Sequence, residues 1–275
     1  MEHLLEIKDL HISFNTDLGV TEAVRGVSLY VDSGEIFGIV GESGSGKSVT
    51  TKAILKLGPP NESFDSGEIL FNGKDILKLS EKELRSVRGN EISTVFQDSL
   101  SALNPVYKVG GKMVELLRRH EKLSKKEAKA KVLSLFEDVG IVDPERCFNS
   151  YPHELSGGMR QRVMIAMAIS CDPLLMIADE PTTALDVTIQ AQILHLLRDI
   201  QRKKGMSLIL ITHDLGVVAQ LCSRVAVMQN GKIVEMGEIG EVFHHPKDPY
   251  TQALLAGMPK NEAPAAAQSG EGGAS

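Results

Sequence analysis

Short apolar runs ending in glycine, aspartate or histidine recur along the chain, at Ile36–Val40, Leu174–Ala178, Leu208–Ile211 and Val225–Met228. Runs of this length bounded by turn formers predict buried strands, and the amphipathic stretches between them predict covering helices. That alternation points to an α/β protein with a mostly parallel sheet. The N-terminal segment differs. Leu5 and Ile7, Ile12 and Phe14, then Val27, Leu29 and Val31 alternate at period two, as half-buried antiparallel strands do. Gly67–Asp75 predicts a further strand with an Asn-Gly turn. Between about Leu100 and Pro152 the strands stop, and Lys112–His120 and Lys125–Val139 predict two helices. Ser124 opens the second, with Glu127 as its capping-box partner. This is the pattern of a helical insertion in an α/β core. After Glu235 the pattern loosens, and Ala263–Ser275 is low-complexity sequence expected to be disordered.

Composition adds several exclusions. Tryptophan is absent and only 4% of residues are aromatic, so the core is aliphatic. With a net charge of −6 nothing global favours nucleic acid, whose binders usually carry a basic face, and no nucleic-acid partner is expected. Cys147, Cys171 and Cys222 are far apart and odd in number, which supports neither a zinc site nor a disulfide framework. Cys171 and Cys222 read as small buried hydrophobes. No basic segment followed by an apolar stretch opens the chain, so no signal peptide is expected. The longest apolar run, Val163–Ile169, is well short of the ~20 residues of a membrane span. A cytoplasmic protein that docks at a membrane only through a partner fits these features.

The chemistry concentrates in a few places. Residues 41–48, Gly41-Glu42-Ser43-Gly44-Ser45-Gly46-Lys47-Ser48, fit the pattern G-x-x-x-x-G-K-[ST], after one strand-like run and before a helical segment predicted over Ser48–Leu57. Glycines there let backbone N–H groups converge on phosphate oxygens, aided by the helix N-terminus. Lys47 would reach the β- and γ-phosphates and Ser48 would offer its hydroxyl to Mg²⁺. Gly41, Ser43, Gly44, Ser45, Gly46, Lys47, Ser48 and Val49 are the candidate nucleotide-binding positions. A second apolar run ends in Asp179 and Glu180. Asp179 is placed to hold Mg²⁺ through its water shell. Glu180 can orient and deprotonate the attacking water. His213 closes another buried strand, where it can sense a γ-phosphate. These residues describe a Mg²⁺-dependent nucleoside triphosphatase.

Leu155-Ser156-Gly157-Gly158-Met159-Arg160-Gln161-Arg162 resembles the signature motif of ATP-binding-cassette (ABC) ATPases, with Met159 where many members have glutamine. Other family elements follow in order: Gln97 matches the Q-loop glutamine, Ala184-Leu185-Asp186 the D-loop and His213 the switch histidine. The resemblance implies an α/β P-loop NTPase (RecA-like) core with an N-terminal antiparallel β subdomain and a helical subdomain. It implies a dimer in which Ser156, Gly157 and Gly158 clamp the ATP held by the opposite subunit and Asp186 couples the two sites. Catalysis would rest on Glu180, His213 and Gln97, and the metal on Ser48, Gln97 and Asp179. Phe14 is the candidate for stacking on adenine, a core phenylalanine being the alternative, with a loop expected over Asn15–Glu22. No base-recognition motif of the N-K-x-D type is present, since Asn72-Gly73-Lys74-Asp75 is not one; ATP is the expected nucleotide. One ATPase domain is expected over 1–259: core and β subdomain in 1–98 and 158–235, a helical subdomain in 99–157 and a C-terminal family segment in 236–259, followed by a tail over 260–275.

Residues 23–28, 96–105, 151–154, 179–188 and 212–217 are similar to the peptide/nickel ABC importers, and the signature together with Thr212–Val217 resembles the D-type ATPases of oligopeptide and dipeptide permeases. This implies a peripheral subunit on the cytoplasmic face of the plasma membrane. Its partners would be a distinct F-type ATPase subunit, two transmembrane permease subunits and, indirectly, an extracellular solute-binding protein. Peptides are the leading cargo, nickel or metal chelates the alternative. The family's C-terminal histidine-proline pattern appears as His245-Pro246-Lys247-Asp248-Pro249-Tyr250-Thr251, with Asp248 in place of a histidine. The Cys-rich extension of many D-type subunits has no counterpart here, so no iron–sulfur cluster is expected, and its lack weakens the peptide assignment relative to nickel or metal–chelate relatives. His244 and His245 are expected to be surface residues. Two readings from other classes fit less well: a soluble ABC ATPase acting on DNA, ribosomes or iron–sulfur assembly, for which the coiled coil of DNA-repair members and the second cassette of translation-linked members are not seen, and a non-catalytic regulator, which the intact Lys47, Asp179, Glu180 and His213 oppose.

Overall fold

The computed structural model describes residues 3–17, 19–97, 102–183 and 185–257. Its strands are β1 (Leu5–Thr16), β2 (Gly19–Val31), β3 (Ile36–Val40), β4 (Glu62–Phe71), β5 (Lys74–Asp75), β6 (Ile92–Val95), β7 (Leu175–Asp179), β8 (Ser207–Thr212), β9 (Arg224–Gln229) and β10 (Lys232–Glu238). The helices are α1 (Lys47–Ala53), α2 (Glu81–Val87), α3 (Val109–Glu121), α4 (Lys125–Asp138), α5 (Pro144–Asn149), α6 (Gly157–Ala168), α7 (Val187–Lys204), α8 (Leu215–Leu221), α9 (Ile239–His244) and α10 (Pro249–Ala256). Two compact units form, one from the described residues of Met1–Lys78 and Ile209–Ser275, the other from those of Leu79–Leu208.

In the first unit the period-two pattern becomes an antiparallel sheet of order β2-β1-β4-β5. Leu5, Ile7, Leu10 and Ile12 of β1 are buried, as are Val27, Leu29 and Val31 of β2. The Asn-Gly turn is present between β4 and β5: Asn72 and Gly73 both take positive φ, and Phe71 pairs with Lys74. Residues 15–16 and 19–22 are strand rather than part of the loop expected from the sequence. The hairpin continues through Asn15↔Val20 and Thr16↔Gly19, and the Thr16 hydroxyl donates to the Gly19 carbonyl. Polar residues mislead there because both faces of the hairpin tip are solvated.

The same unit contains strands in the order β10-β9-β3-β8, with β3 parallel to β9. All of β3 and the four central residues of β9 are buried, as the continuous apolar runs require. Gly38 gives the close approach of α8, since a Cβ there would lie 2.6 Å from Val218 Cγ1. Helix α1 stops at Ala53, short of the predicted Leu57. The Lys56 N–H bonds the Ala53 carbonyl and the Leu57 N–H the Lys52 carbonyl, with Lys56 in the left-handed region. This is a Schellman end built on a lysine rather than the usual glycine, which is why the sequence did not mark it.

The second unit pairs β6 with β7 in parallel, from Ile92↔Leu175 to Val95↔Ala178. Its helices carry the expected apolar faces: Met113, Val114 and Leu117 of α3, and Val132, Leu135 and Phe136 of α4, are buried. Ser124 caps α4 in a complete box with Glu127, whose carboxyl is held below its usual range by the Ser124 hydroxyl and N–H. All three cysteines are buried and free, and burial pushes the Cys147 thiol up to about 11 and raises those of Cys171 and Cys222. Among the described residues no helix is long and apolar enough to cross a membrane. The tail expected over 260–275 and the Asp98–Ser101 stretch lie outside the described residues.

Candidate functional site

In the first unit the phosphate loop leaves the buried end of β3 and enters α1. Its backbone needs glycine at both ends. Gly41 has φ of 149° and Gly46 φ of 102°; a Cβ on Gly41 would sit 2.1 Å from the Met228 carbonyl oxygen, and one on Gly46 2.9 Å from that of Ala23. The loop is tied to its surroundings by backbone: the Gly231 N–H donates to the Ser45 carbonyl at 2.9 Å and the Arg25 N–H to the Gly231 carbonyl at 2.8 Å. Ser43 and Gly44 lie exposed at the loop apex. Lys47 is only 5% exposed, and its ammonium donates to the carbonyls of Gly41 at 2.7 Å and Glu42 at 2.8 Å. Ser48 and Val49 follow in the first turn of α1, both half-buried, and Thr50 donates from its hydroxyl to the Gly46 carbonyl. A wreath of loop amides with a cation folded across it is suited to polyphosphate.

His213 follows the last residue of β8 and is exposed, while Asp214 caps α8 by accepting from the Gly216 and Val217 N–H groups. Phe14 is half-buried in β1, between Thr21 of β2 and Glu62 of β4. His244 and His245 are both exposed.

In the second unit Asp179 ends β7, 6% exposed, and offers the oxygen donors that Mg²⁺ prefers. Glu180 follows in the left-handed region at φ of 46°, an uncommon conformation for glutamate. Its Oε2 accepts from Gln97 Nε2 at 2.9 Å and from the Thr183 hydroxyl at 2.9 Å. The parallel register explains the first contact. Val95 pairs with Ala178, and Gln97 and Glu180 each lie two residues further along. Thr183 was not singled out from the sequence; only its spacing of three from Glu180 could have marked it.

The remaining family elements also meet within this unit. Ser156 caps α6 by accepting from the Met159 N–H, which places Gly157 and Gly158 in the first turn. A Cβ on Gly158 would come 3.0 Å from Ile189 Cγ2, so a glycine there lets α6 approach the start of α7, whereas one on Gly157 would make an ordinary contact with Leu185 Cδ2 at 3.4 Å. Asp186 caps α7, accepting from the Ile189 N–H at 3.0 Å. Ala184 of the same motif lies outside the described residues.

The phosphate loop and the acidic strand end define the class of P-loop nucleotide hydrolases. The chain belongs to the ABC transporter family, whose profile matches residues 24–183, and it is an ATP-hydrolysing member. It is 59% identical over 260 residues to the oligopeptide transport ATP-binding protein OppD of Bacillus subtilis, covering 94% of this chain and 73% of that one. It is 55% identical over 261 residues to the dipeptide transport ATP-binding protein DppD of the same organism, covering 94% and 78%. Among solved structures it matches the ATP-binding cassette MJ0796 in a dimeric post-hydrolysis state bound to ADP and Pi, with 27% identity, a TM-score of 0.76 and coverage of 86% and 98%. The cbiO1 component of the cbiONQ transporter of Clostridium perfringens matches with 31% identity, a TM-score of 0.74 and coverage of 89% and 92%.

Proposed function

We propose that this chain is the ATP-hydrolysing subunit of an importer that takes up oligopeptides or dipeptides. The observation that carries the reading is the 59% identity to an oligopeptide transport ATP-binding protein over 94% of the chain, with Lys47, Asp179, Glu180 and His213 all present. The two relatives named above are both peptide-transport proteins, which favours peptides over the nickel alternative.

Chemistry supports the roles of the phosphate loop, Asp179 and Glu180, and the resemblance to ABC ATPases implies the others. Loop residues Gly41, Ser43, Gly44, Ser45, Gly46, Ser48 and Val49 bind the phosphates of ATP, and Lys47 neutralises the β- and γ-phosphates. Glu180 orients the attacking water and accepts its proton, with its carboxylate aimed by Gln97 and Thr183. Oxygen ligands at Ser48, Gln97 and Asp179 suit Mg²⁺, which when bound neutralises charge on the β- and γ-phosphate oxygens. His213 senses the γ-phosphate, and Phe14 stacks on adenine. Ser156, Gly157 and Gly158 contact the ATP of the opposing subunit, and Asp186 links the two sites. ATP binds the closed pair better than the open one, so binding closes it and hydrolysis releases it.

The domain organisation proposed is a single ATPase domain over 1–259, with 99–157 as the helical part that meets the membrane subunits. The partners proposed are an F-type ATP-binding subunit, two permease subunits and an extracellular solute-binding protein, with this chain peripheral on the cytoplasmic face of the membrane. ATP hydrolysis by the assembled transporter is expected to stop when Mg²⁺ is chelated and to return when it is restored, as phosphate release reports. Undiminished hydrolysis in excess chelator would contradict the assignment of Ser48 and Asp179.

A further inference from the structure

The C-terminal His245–Thr251 pattern finds no use in the reading above, yet it reaches the phosphate loop. The phenolic oxygen of Tyr250, in the first turn of α10, accepts the Glu42 N–H at 3.0 Å. Glu42 is the second residue of the loop, directly after Gly41, where the chain must pass beneath the Met228 carbonyl. Burial holds the Tyr250 phenol above its ordinary pKa, so it meets the N–H as a neutral oxygen.

Helix α10 is itself fixed from two sides. Asp248 caps it by accepting from the Tyr250 N–H at 2.8 Å. Glu235 of β10 accepts from the Lys247 N–H at 2.9 Å and the Asp248 N–H at 3.1 Å. Although burial opposes it, these backbone donors, led by Lys247, hold the Glu235 carboxyl below its usual range. Strand β10 continues back through the turn at Gly231, whose N–H binds the Ser45 carbonyl. The contacts therefore close a ring from Glu42 to Tyr250, Asp248, Glu235, β10, Gly231 and back to the loop at Ser45.

We propose that Tyr250 is a positioning residue for nucleotide binding, its hydroxyl bracing the first turn of the phosphate loop against the C-terminal segment through the Glu42 N–H. This rests on the phosphate-loop reading. Asp248, which departs from the family's histidine at this position, acts in the ring as the helix cap that presents Tyr250. The loop carbonyls of Gly41 and Glu42 both receive Lys47, so a loop free to rotate at Glu42 also loosens the anchor of its lysine.

The test is ADP binding by the full chain, measured by titration calorimetry for wild type, Tyr250→Phe, Asp248→Ala, Asp248→Asn and, as a control, Lys47→Ala. Hydrogen exchange at the Glu42 amide is followed in parallel. Tyr250→Phe is expected to raise the Kd roughly three- to tenfold, the scale of one neutral hydrogen bond, and to speed exchange at Glu42. Asp248→Ala is expected to act in the same direction, and Asp248→Asn, which keeps the capping acceptor, to restore wild-type binding. A lowered Tm in Tyr250→Phe with unchanged Kd and Glu42 exchange would show that the tyrosine only packs the helix, and would overturn the proposal. Wild-type binding by Lys47→Ala would overturn the phosphate-loop reading itself, a failure separable from the loss of the Tyr250 effect alone.

Discussion

Glu180→Gln is expected to slow ATP hydrolysis by the assembled transporter by roughly 10²–10⁴-fold while leaving ATP bound. That range is what a positioned general base contributes. The amide is nearly isosteric with the carboxylate and keeps one oxygen to accept from Gln97 and Thr183, so the end of β7 need not rearrange. What it loses is charge and basicity, and the attacking water then has no acceptor for its proton. Single-turnover hydrolysis measures the first half of the expectation, and retention of labelled ATP on the complex the second. Normal turnover by the variant would remove Glu180 from the role of base.

Lys47→Ala is expected to weaken nucleotide binding by about 100-fold or more. Charge-assisted hydrogen bonds contribute about 1.5–3 kcal/mol each, and the ammonium is placed to make more than one with phosphate oxygens. The same side chain also holds two carbonyls of its own loop, at Gly41 and Glu42, so its removal frees the loop backbone as well as deleting the charge. Calorimetry gives the affinity, and an unchanged thermal midpoint separates a lost ligand contact from a lost fold. A Kd equal to that of the wild type would sink the assignment.

Much of this was legible in the sequence because the relevant constraints are local. The phosphate loop is eight consecutive residues whose glycines answer to backbone geometry, and the strand before it and helix after it are marked by adjacent residues. The capping box at Ser124 and the alternation through β1 and β2 are equally short-range. What escaped was non-local or atypical. The helix α1 ends on a left-handed lysine, a position that composition assigns to glycine. The tip of the β1–β2 hairpin is exposed on both faces, so no period shows its strands. The contact between Tyr250 and Glu42 joins positions 208 residues apart, and only the folding of α10 against β10 creates it. Gln97 and Glu180 were each marked by their motifs, but that they bond directly follows from the β6–β7 register, which no single segment encodes. The departure at Asp248 was visible as a substitution, whereas its use as a helix cap needed the backbone that follows it.

The central claim is that ATP bound and hydrolysed by this chain powers peptide uptake. Uptake of a labelled tripeptide by cells tests it most directly, comparing the wild-type chromosomal copy with Lys47→Ala. The account predicts that uptake falls to background in the variant while the subunit is still produced at its normal level. Unchanged tripeptide uptake would contradict it, leaving an ATPase whose work is spent on some other solute.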